Sequence, residues 1–205
     1  MEIDEIIQDL ISETKETPNP SWVKYYEELN DRVYWLINEV DDDLLYLVDK
    51  IFRWNREDAG IPVEERKPIK IYINSPVGSL DIEETLVSVI QLSKTPVYGV
   101  ALGMVASAAS LIYLACHKKF ALPNAYFILH KGSTSGMSGN FNDIQAAMDD
   151  YKKQVEKMIG FYISSTKYTE EEIRRNIEND WYVRDEDIVK FGLVDEIVTD
   201  IDSIV

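Results

Sequence analysis

Val97-Tyr98-Gly99-Val100-Ala101-Leu102 runs directly into Gly103-Met104-Val105-Ala106-Ser107-Ala108-Ala109-Ser110 and on to Leu111-Ile112-Tyr113-Leu114. The first six residues form a continuous apolar run with β-formers, as expected of a strand buried on both faces. Val105–Leu114, rich in Ala, Leu and Ile, predicts an apolar helix. Strand and helix follow one another with only a short turn between them, which is half of a βαβ unit. The same pattern recurs on either side. Ile69–Ile73 predicts a strand, Asn74-Ser75-Pro76-Val77-Gly78-Ser79 a turn, and Ile82, Leu86, Val89 and Ile90 one face of a helix. Downstream, Tyr126–Leu129 predicts another strand, ending at His130. Apolar strands alternating with helices imply an α/β fold around a buried, largely parallel sheet.

Outside this centre the elements are less regular. Ile3, Ile6, Ile7, Leu10 and Ile11 have helical spacing over residues 3–15, and Thr17-Pro18-Asn19-Pro20 breaks it. A short helix is expected over Ser21–Leu29, a strand over Arg32–Ile37, a helix from Leu44 to near Gly60, and a loop over 61–68. A polar, glycine-containing stretch at 132–139 precedes a long helix over 141–164. Its apolar stripe (Ile144, Ala147, Met148, Tyr151, Val155, Met158, Ile159 and Tyr162) either seeks a partner beyond the domain or lies on the sheet. Thr169 and Glu172 predict a capping box for a helix through Ile177, followed by a strand at Trp181–Val183, a short helix, and Val194–Val198. The expected organisation is an N-terminal appendage, residues 1–24, and one domain, residues 25–205.

The 205 residues suffice for one domain with a sizeable core. With 21 Lys and Arg against 37 Asp and Glu, the net charge of −16 disfavours nucleic acid and anionic membranes as partners. A lone cysteine, Cys116, excludes an internal disulfide and fits a reducing compartment. The acidic start Met1-Glu2-Ile3-Asp4-Glu5 lacks the basic region of a signal peptide, so a cytoplasmic location is expected. Two histidines and one cysteine build no familiar zinc site, and neither a metal nor a cofactor is expected.

Three polar features fall at the ends of apolar strands, where open α/β sheets build their sites. Ser107, at the start of a helix, lies where unpaired N–H groups favour a developing anion. Small neighbours leave room for a substrate carbonyl. His130, at a strand end, is a better candidate base than His117, which sits beside Lys118 and Lys119 in an expected turn. Among the many carboxylates, Asp180 precedes Trp181-Tyr182-Val183, an aromatic stretch able to shield it from water. Gly78 lets a ligand approach the backbone and could offer its N–H to an oxyanion.

Together these motifs resemble the family of ClpP, the proteolytic subunit of the Clp protease. Ile71-Tyr72-Ile73-Asn74-Ser75-Pro76-Val77-Gly78-Ser79 is similar to that family's Tyr-Ile-Asn-Ser-Pro-Gly-Gly-Ser turn, and Gly103–Ala108 to its Gly-Gln-Ala-Ala-Ser-Met nucleophile motif. Phe120-Ala121-Leu122-Pro123-Asn124 followed by Ile128-Leu129-His130 is similar to the segment leading to the catalytic histidine, and Asp180 stands where the family has its aspartate. The resemblance implies a crotonase-like fold of stacked βαβ units with the 141–164 helix as a projecting handle. It implies a serine endopeptidase with Ser107, His130 and Asp180 as triad, Gly78 and Ala108 as oxyanion donors, and Ser79, Leu80 and Ser133 as substrate contacts. It further implies two stacked seven-membered rings enclosing a chamber where unfolded polypeptide is cleaved, fed by an AAA+ ATPase unfoldase. Tyr72, Phe120 and Leu122 match the apolar positions that hold ATPase loops, and they also suit a core.

The sequence also departs from the pattern. Val77 replaces the first glycine of the Gly-Gly pair, Ala108 replaces methionine, and Lys131-Gly132 replaces Gln-Pro. Asn179 stands where many members have an arginine that pairs across rings and couples assembly to an ordered triad. These departures keep open a catalytically weak structural paralogue that co-assembles with an active partner. A crotonase-type acyl-CoA enzyme is the alternative on a related fold. A Ser/Lys protease of the signal-peptide-peptidase kind would need a lysine near Ser107, and none is evident.

Overall fold

The computed structural model describes residues 20–40, 42–76, 78, 80–132 and 138–205. The helix expected over 3–15 lies outside the described residues. Helix α1 (Pro20–Asp31) opens with proline at its first position, where a missing N–H costs nothing. It is followed by β1 (Val33–Leu36), α2 (Leu45–Glu57), β2 (Ile69–Ser75), α3 (Leu80–Leu92), β3 (Val97–Ala106) and α4 (Ala108–Ala115). Then come β4 (Lys118–Ala121), β5 (Tyr126–Leu129), α5 (Phe141–Ser165), α6 (Glu170–Asn176), β6 (Trp181–Val183), α7 (Glu186–Lys190) and β7 (Glu196–Ile197).

The seven strands form one sheet in the order β1-β2-β3-β4-β7, with β5 on β3 and β6 on β5. Every pairing is parallel except β5 with β6. The expected parallel α/β fold is the one found, with two corrections near the centre. The strand expected to stop at Leu102 continues to Ala106, and the helix expected from Val105 begins at Ala108. The extension is held by pairing of Met104, Val105 and Ala106 with Tyr126, Phe127 and Ile128, and by the side-chain oxygen of Asn74, which accepts from Met104 N at 2.9 Å. The turn expected at Lys118-Lys119 is instead β4, whose Phe120 and Ala121 are buried against β3 and β7. His117 is part of that join: its Nδ1 accepts from Val97 N at 3.0 Å, and burial lowers its pKa.

A large core gathers Leu47, Ile51 and Trp54 of α2, Leu86 and Ile90 of α3 and most of α4 against strand residues Ile71, Ile73 and Val105. A smaller cluster holds Tyr72, Val100, Phe120, Val198 and Ile204, with Leu122 packed beside it. Cys116 lies in the large core; its thiol is buried and pushed up to about 12, which leaves it unreactive. Helix α5 divides its stripe. Residues 141–150 are all exposed, whereas Ile159 and Tyr162 are buried and Val155 and Met158 pack against the core. No helix of the described residues is long and apolar enough to cross a membrane.

Beyond the core, Arg32 fastens three segments. Its guanidinium donates to both oxygens of Asp58, at 2.7 and 2.8 Å, and to Lys67 O at 2.9 Å. Thr95 Oγ1 donates to the same carboxylate at 2.7 Å. The hydrogen bonds from Arg32, aided by Thr95, hold the Asp58 carboxyl below its ordinary pKa. A depressed native pKa adds stability above the unfolded-state value, and that stability is lost as pH falls through the native one. Asp58→Asn leaves Arg32 only the more distant carboxylate of Glu57, 3.9 Å away, and is expected to cost about 3 kcal/mol at neutral pH. Thermal melts between pH 7 and 3 check this: the gap between wild type and variant narrows as the medium becomes acid.

Candidate active site

Strand β3 ends at Ala106 and α4 begins at Ala108, so Ser107 makes the whole turn between them. It does so with φ 54° and ψ −128°, a positive φ that a residue with a Cβ rarely adopts. The turn is held from two sides. Ser107 N donates to Ile128 O of β5 at 3.0 Å, and Ser107 O accepts from Ser110 N at 2.9 Å and Ser110 Oγ at 2.6 Å. Ser110 Oγ has spent its only proton there, so the Tyr162 hydroxyl donates to it at 2.9 Å. Tyr162 is wholly buried on α5, and burial raises its pKa, keeping it a neutral donor.

His130 and Asp180 come from the antiparallel pair β5–β6. Leu129 pairs with Trp181, so His130 just beyond and Asp180 just before lie side by side. His130 Nδ1 is 3.1 Å from Asp180 Oδ1. A carboxylate only accepts, so Nδ1 carries the proton and Nε2 of the neutral ring keeps its lone pair. Nε2 is buried and has no hydrogen-bond partner among the described residues. The pair is braced next door: Lys131 N donates to Ile177 O at 3.1 Å, and Lys131 Nζ meets Glu178 Oε2 at 2.5 Å.

The structure thus joins His130 to Asp180 and sets Ser107 beside the strand that carries His130, but Ser107 makes no hydrogen bond to Nε2. The expected aromatic shielding of Asp180 is not found: its side chain is 60% exposed, and Trp181 packs on Tyr168 instead. Gly78 forms a parallel bridge with Val40, and a Cβ at 78 would overlap Val40, so only glycine fits. Ala108 is the first residue of α4, where N–H groups lack intrahelical partners. Leu80 opens α3, while Ser79 and Ser133 lie outside the described residues. Among the described residues no three His, Cys, Asp or Glu side chains gather as a metal site would need. Sequence reasoning named Asn74, Ser110 and Tyr162 but missed their supporting roles. Only the polar serine and tyrosine at otherwise apolar helix positions hinted at the last two.

A serine turn next to a His–Asp pair lies at the strand ends of an α/β fold with a largely parallel sheet, the fold also seen in ClpP structures. The chain belongs to the Clp protease family, whose profile matches residues 18–200. It is 29% identical over 193 residues to the ATP-dependent Clp protease proteolytic subunit 2 of Treponema denticola, covering 93% of this chain and 94% of that protein. The ATP-dependent Clp protease proteolytic subunit of Deinococcus radiodurans is 26% identical over 200 residues, 97% of this chain and 95% of that protein. Among solved structures, a ClpP1 mutant from Listeria monocytogenes has the same fold, with TM-score 0.72 and 23% identity over 86% of this chain and 96% of that one.

The positive φ at Ser107 carries a thermodynamic signature. Ser107→Ala keeps a Cβ in the strained turn, whereas Ser107→Gly removes it. The glycine variant is expected to be the more stable of the two by about 1 kcal/mol. Denaturant unfolding of both variants checks this.

Proposed function

We propose that this chain is a serine endopeptidase of the ClpP type, acting on unfolded polypeptide inside a ring-shaped assembly. The observation that carries the reading is His130: its Nδ1 is held by Asp180, and its buried Nε2 lacks a partner next to the Ser107 turn. In the proposed reaction Nε2 takes the proton of Ser107 Oγ as that oxygen attacks the substrate carbonyl carbon. The tetrahedral oxyanion is met by the N–H groups of Gly78 and Ala108. His130 then returns the proton to the leaving amine, and water repeats the sequence to release the acyl group from Ser107. Asp180 fixes the tautomer and faces the imidazolium that forms. Ser79, Leu80 and Ser133 contact the substrate chain in this proposal, and residues 25–205 form the peptidase domain.

The assembly belongs to the same proposal: two stacked heptameric rings, held by the exposed half of α5, with an AAA+ ATPase unfoldase as partner. Phe141, Ile144 and Met148 are 79%, 38% and 39% exposed in the free chain, a stripe that gains most by association. The missing Ser107–His130 hydrogen bond fits a triad completed on assembly, since such contacts tighten in the working complex.

Two experiments test the reading. A fluorophosphonate is expected to label Ser107 and to leave Ser107→Ala unlabelled; His130→Ala should reduce peptide turnover by roughly 10⁴- to 10⁶-fold. Labelling at another residue, or a mild effect of His130→Ala, would contradict the assignment. For the assembly, Ile144→Glu with Met148→Glu is expected to split the particle, because association would then bury charge. Light-scattering mass in solution reads this, and a wild-type monomer at micromolar concentration would refute it.

A further inference from the structure

Of the two buried acids among the described residues, Asp58 is paired with Arg32, and the proposed reaction leaves the other without a role. Glu83, on α3, is 5% exposed and sits on the helix face that buries Leu86 and Ile90. It lines a cavity of about 300 Å³ between α3 and α5, whose walls include Val87, Leu111, Met158 and Phe161. Two of its lining residues are close in the chain to the candidate active site. Leu111 follows Ser107 by one helical turn on α4, and Lys131 follows His130 directly.

The other charged groups lining the cavity are matched. Lys157 pairs with Glu84 at 2.9 Å, and Lys131 with Glu178 at 2.5 Å. Glu83 has neither a hydrogen bond nor an ion pair among the described residues, although it borders the cavity. Its carboxylate oxygens are not among the sealed, unpaired polar atoms, so the carboxyl opens onto the cavity. Apolar walls ending at a lone carboxyl suit a long side chain with an apolar stem and a cationic head.

Resting on the reading of Ser107 as nucleophile, we propose that this cavity receives the side chain of the residue whose carbonyl is attacked, and that Glu83 selects lysine or arginine there. The stem packs on Val87, Leu111 and Met158, and the head group pairs with the carboxylate. Burial, reinforced by the neighbouring charge of Glu84 and opposed by Lys157, pushes the Glu83 carboxyl up to about 8. The remaining ionisable neighbours are the neutral Tyr162 hydroxyl on α5 and Lys131, already paired. At neutral pH a bound cation must therefore ionise Glu83, releasing a proton. Preference for a basic over an apolar side chain then rises with pH until Glu83 is already ionised, near pH 8.

The test uses the full-length chain and fluorogenic peptides that differ only in carrying Lys, Arg or Leu before the scissile bond. Rates are expressed per fluorophosphonate-labelled Ser107, in wild type, Glu83→Gln and Glu83→Leu. Wild type is expected to favour Lys and Arg over Leu in kcat/KM, by a ratio that climbs between pH 6 and 8. Glu83→Gln should lower that ratio by about tenfold to a hundredfold and flatten its pH profile, as loss of a charged hydrogen-bond partner does. Glu83→Leu should invert the preference. Labelled Ser107 with Leu cleaved as well as Lys by wild type, or a ratio unmoved by Glu83→Gln, overturns the selectivity alone. No labelling of Ser107 overturns the hydrolase reading and the selectivity with it. The wild-type ratio and its pH profile decide the matter even if neither variant folds.

Discussion

Strand β3 must satisfy two successive neighbours along one edge, and the rest of the molecule is arranged around that requirement. Its first half, Tyr98–Ala101, pairs with β4, and its second half, Met104–Ala106, pairs with β5, while β2 occupies the other edge. The chain passes from the lower neighbour to the upper through the turn at Leu122–Ala125, where Leu122 N donates to Ala101 O and Ala125 N to Leu122 O. Without the four extra residues of β3 beyond Leu102 there would be no edge for β5, hence no place for β6 and no meeting of His130 with Asp180. Asn74 is the brace for this extension, reaching from β2 to the amide of Met104. Gly103 is required for that reach, since a Cβ there would lie 2.6 Å from the Asn74 oxygen.

The upper storey separates the catalytic candidates into two groups with different supports. His130 and Asp180 flank one antiparallel pairing and are fixed relative to each other by it, with Lys131, Ile177 and Glu178 closing the loop behind them. Ser107 belongs to the β3–α4 turn, supported by Ile128 on one side and by Ser110 and Tyr162 on the other. Among the described residues the short β3–β5 ladder and the Ser107–Ile128 bond join the groups directly, and Tyr151 Oη of α5 donates to Lys131 O at 3.1 Å. In the proposed reaction the proton passes from Ser107 to Nε2 across that join, where the structure shows no hydrogen bond.

Most of the fold was legible in the sequence because parallel strands buried on both faces announce themselves as apolar runs, as Ile69–Ile73 and Val97–Leu102 do. The errors fell where small residues serve two states. Gly103-Met104-Val105-Ala106 suits strand and helix alike, and only the long-range pairing with β5 decides. Lys118-Lys119 looked like a turn because β4 carries its lysines where Lys118 and Lys119 reach Glu196 and Asp195. Ser107 and His130 were legible as polar residues ending apolar runs. Asp180 came from the resemblance more than from its surroundings, since the aromatic shield expected of Trp181 packs elsewhere. Glu83 stayed hidden because helical periodicity places it on the same side as Leu86, where the charge alone gives no reason to expect burial.

Helix α5 has a mechanical consequence. Its 25 residues make a rod roughly 37 Å long. The rod is clamped at the Ile159–Tyr162 end and free over 141–150, so it behaves as a lever with its fulcrum in the core. Tyr162 lies at that fulcrum, and its hydroxyl bears through Ser110 on the carbonyl of Ser107. Whatever grips the free end steadies the tilt of the rod, and with it the peptide plane that aims the serine.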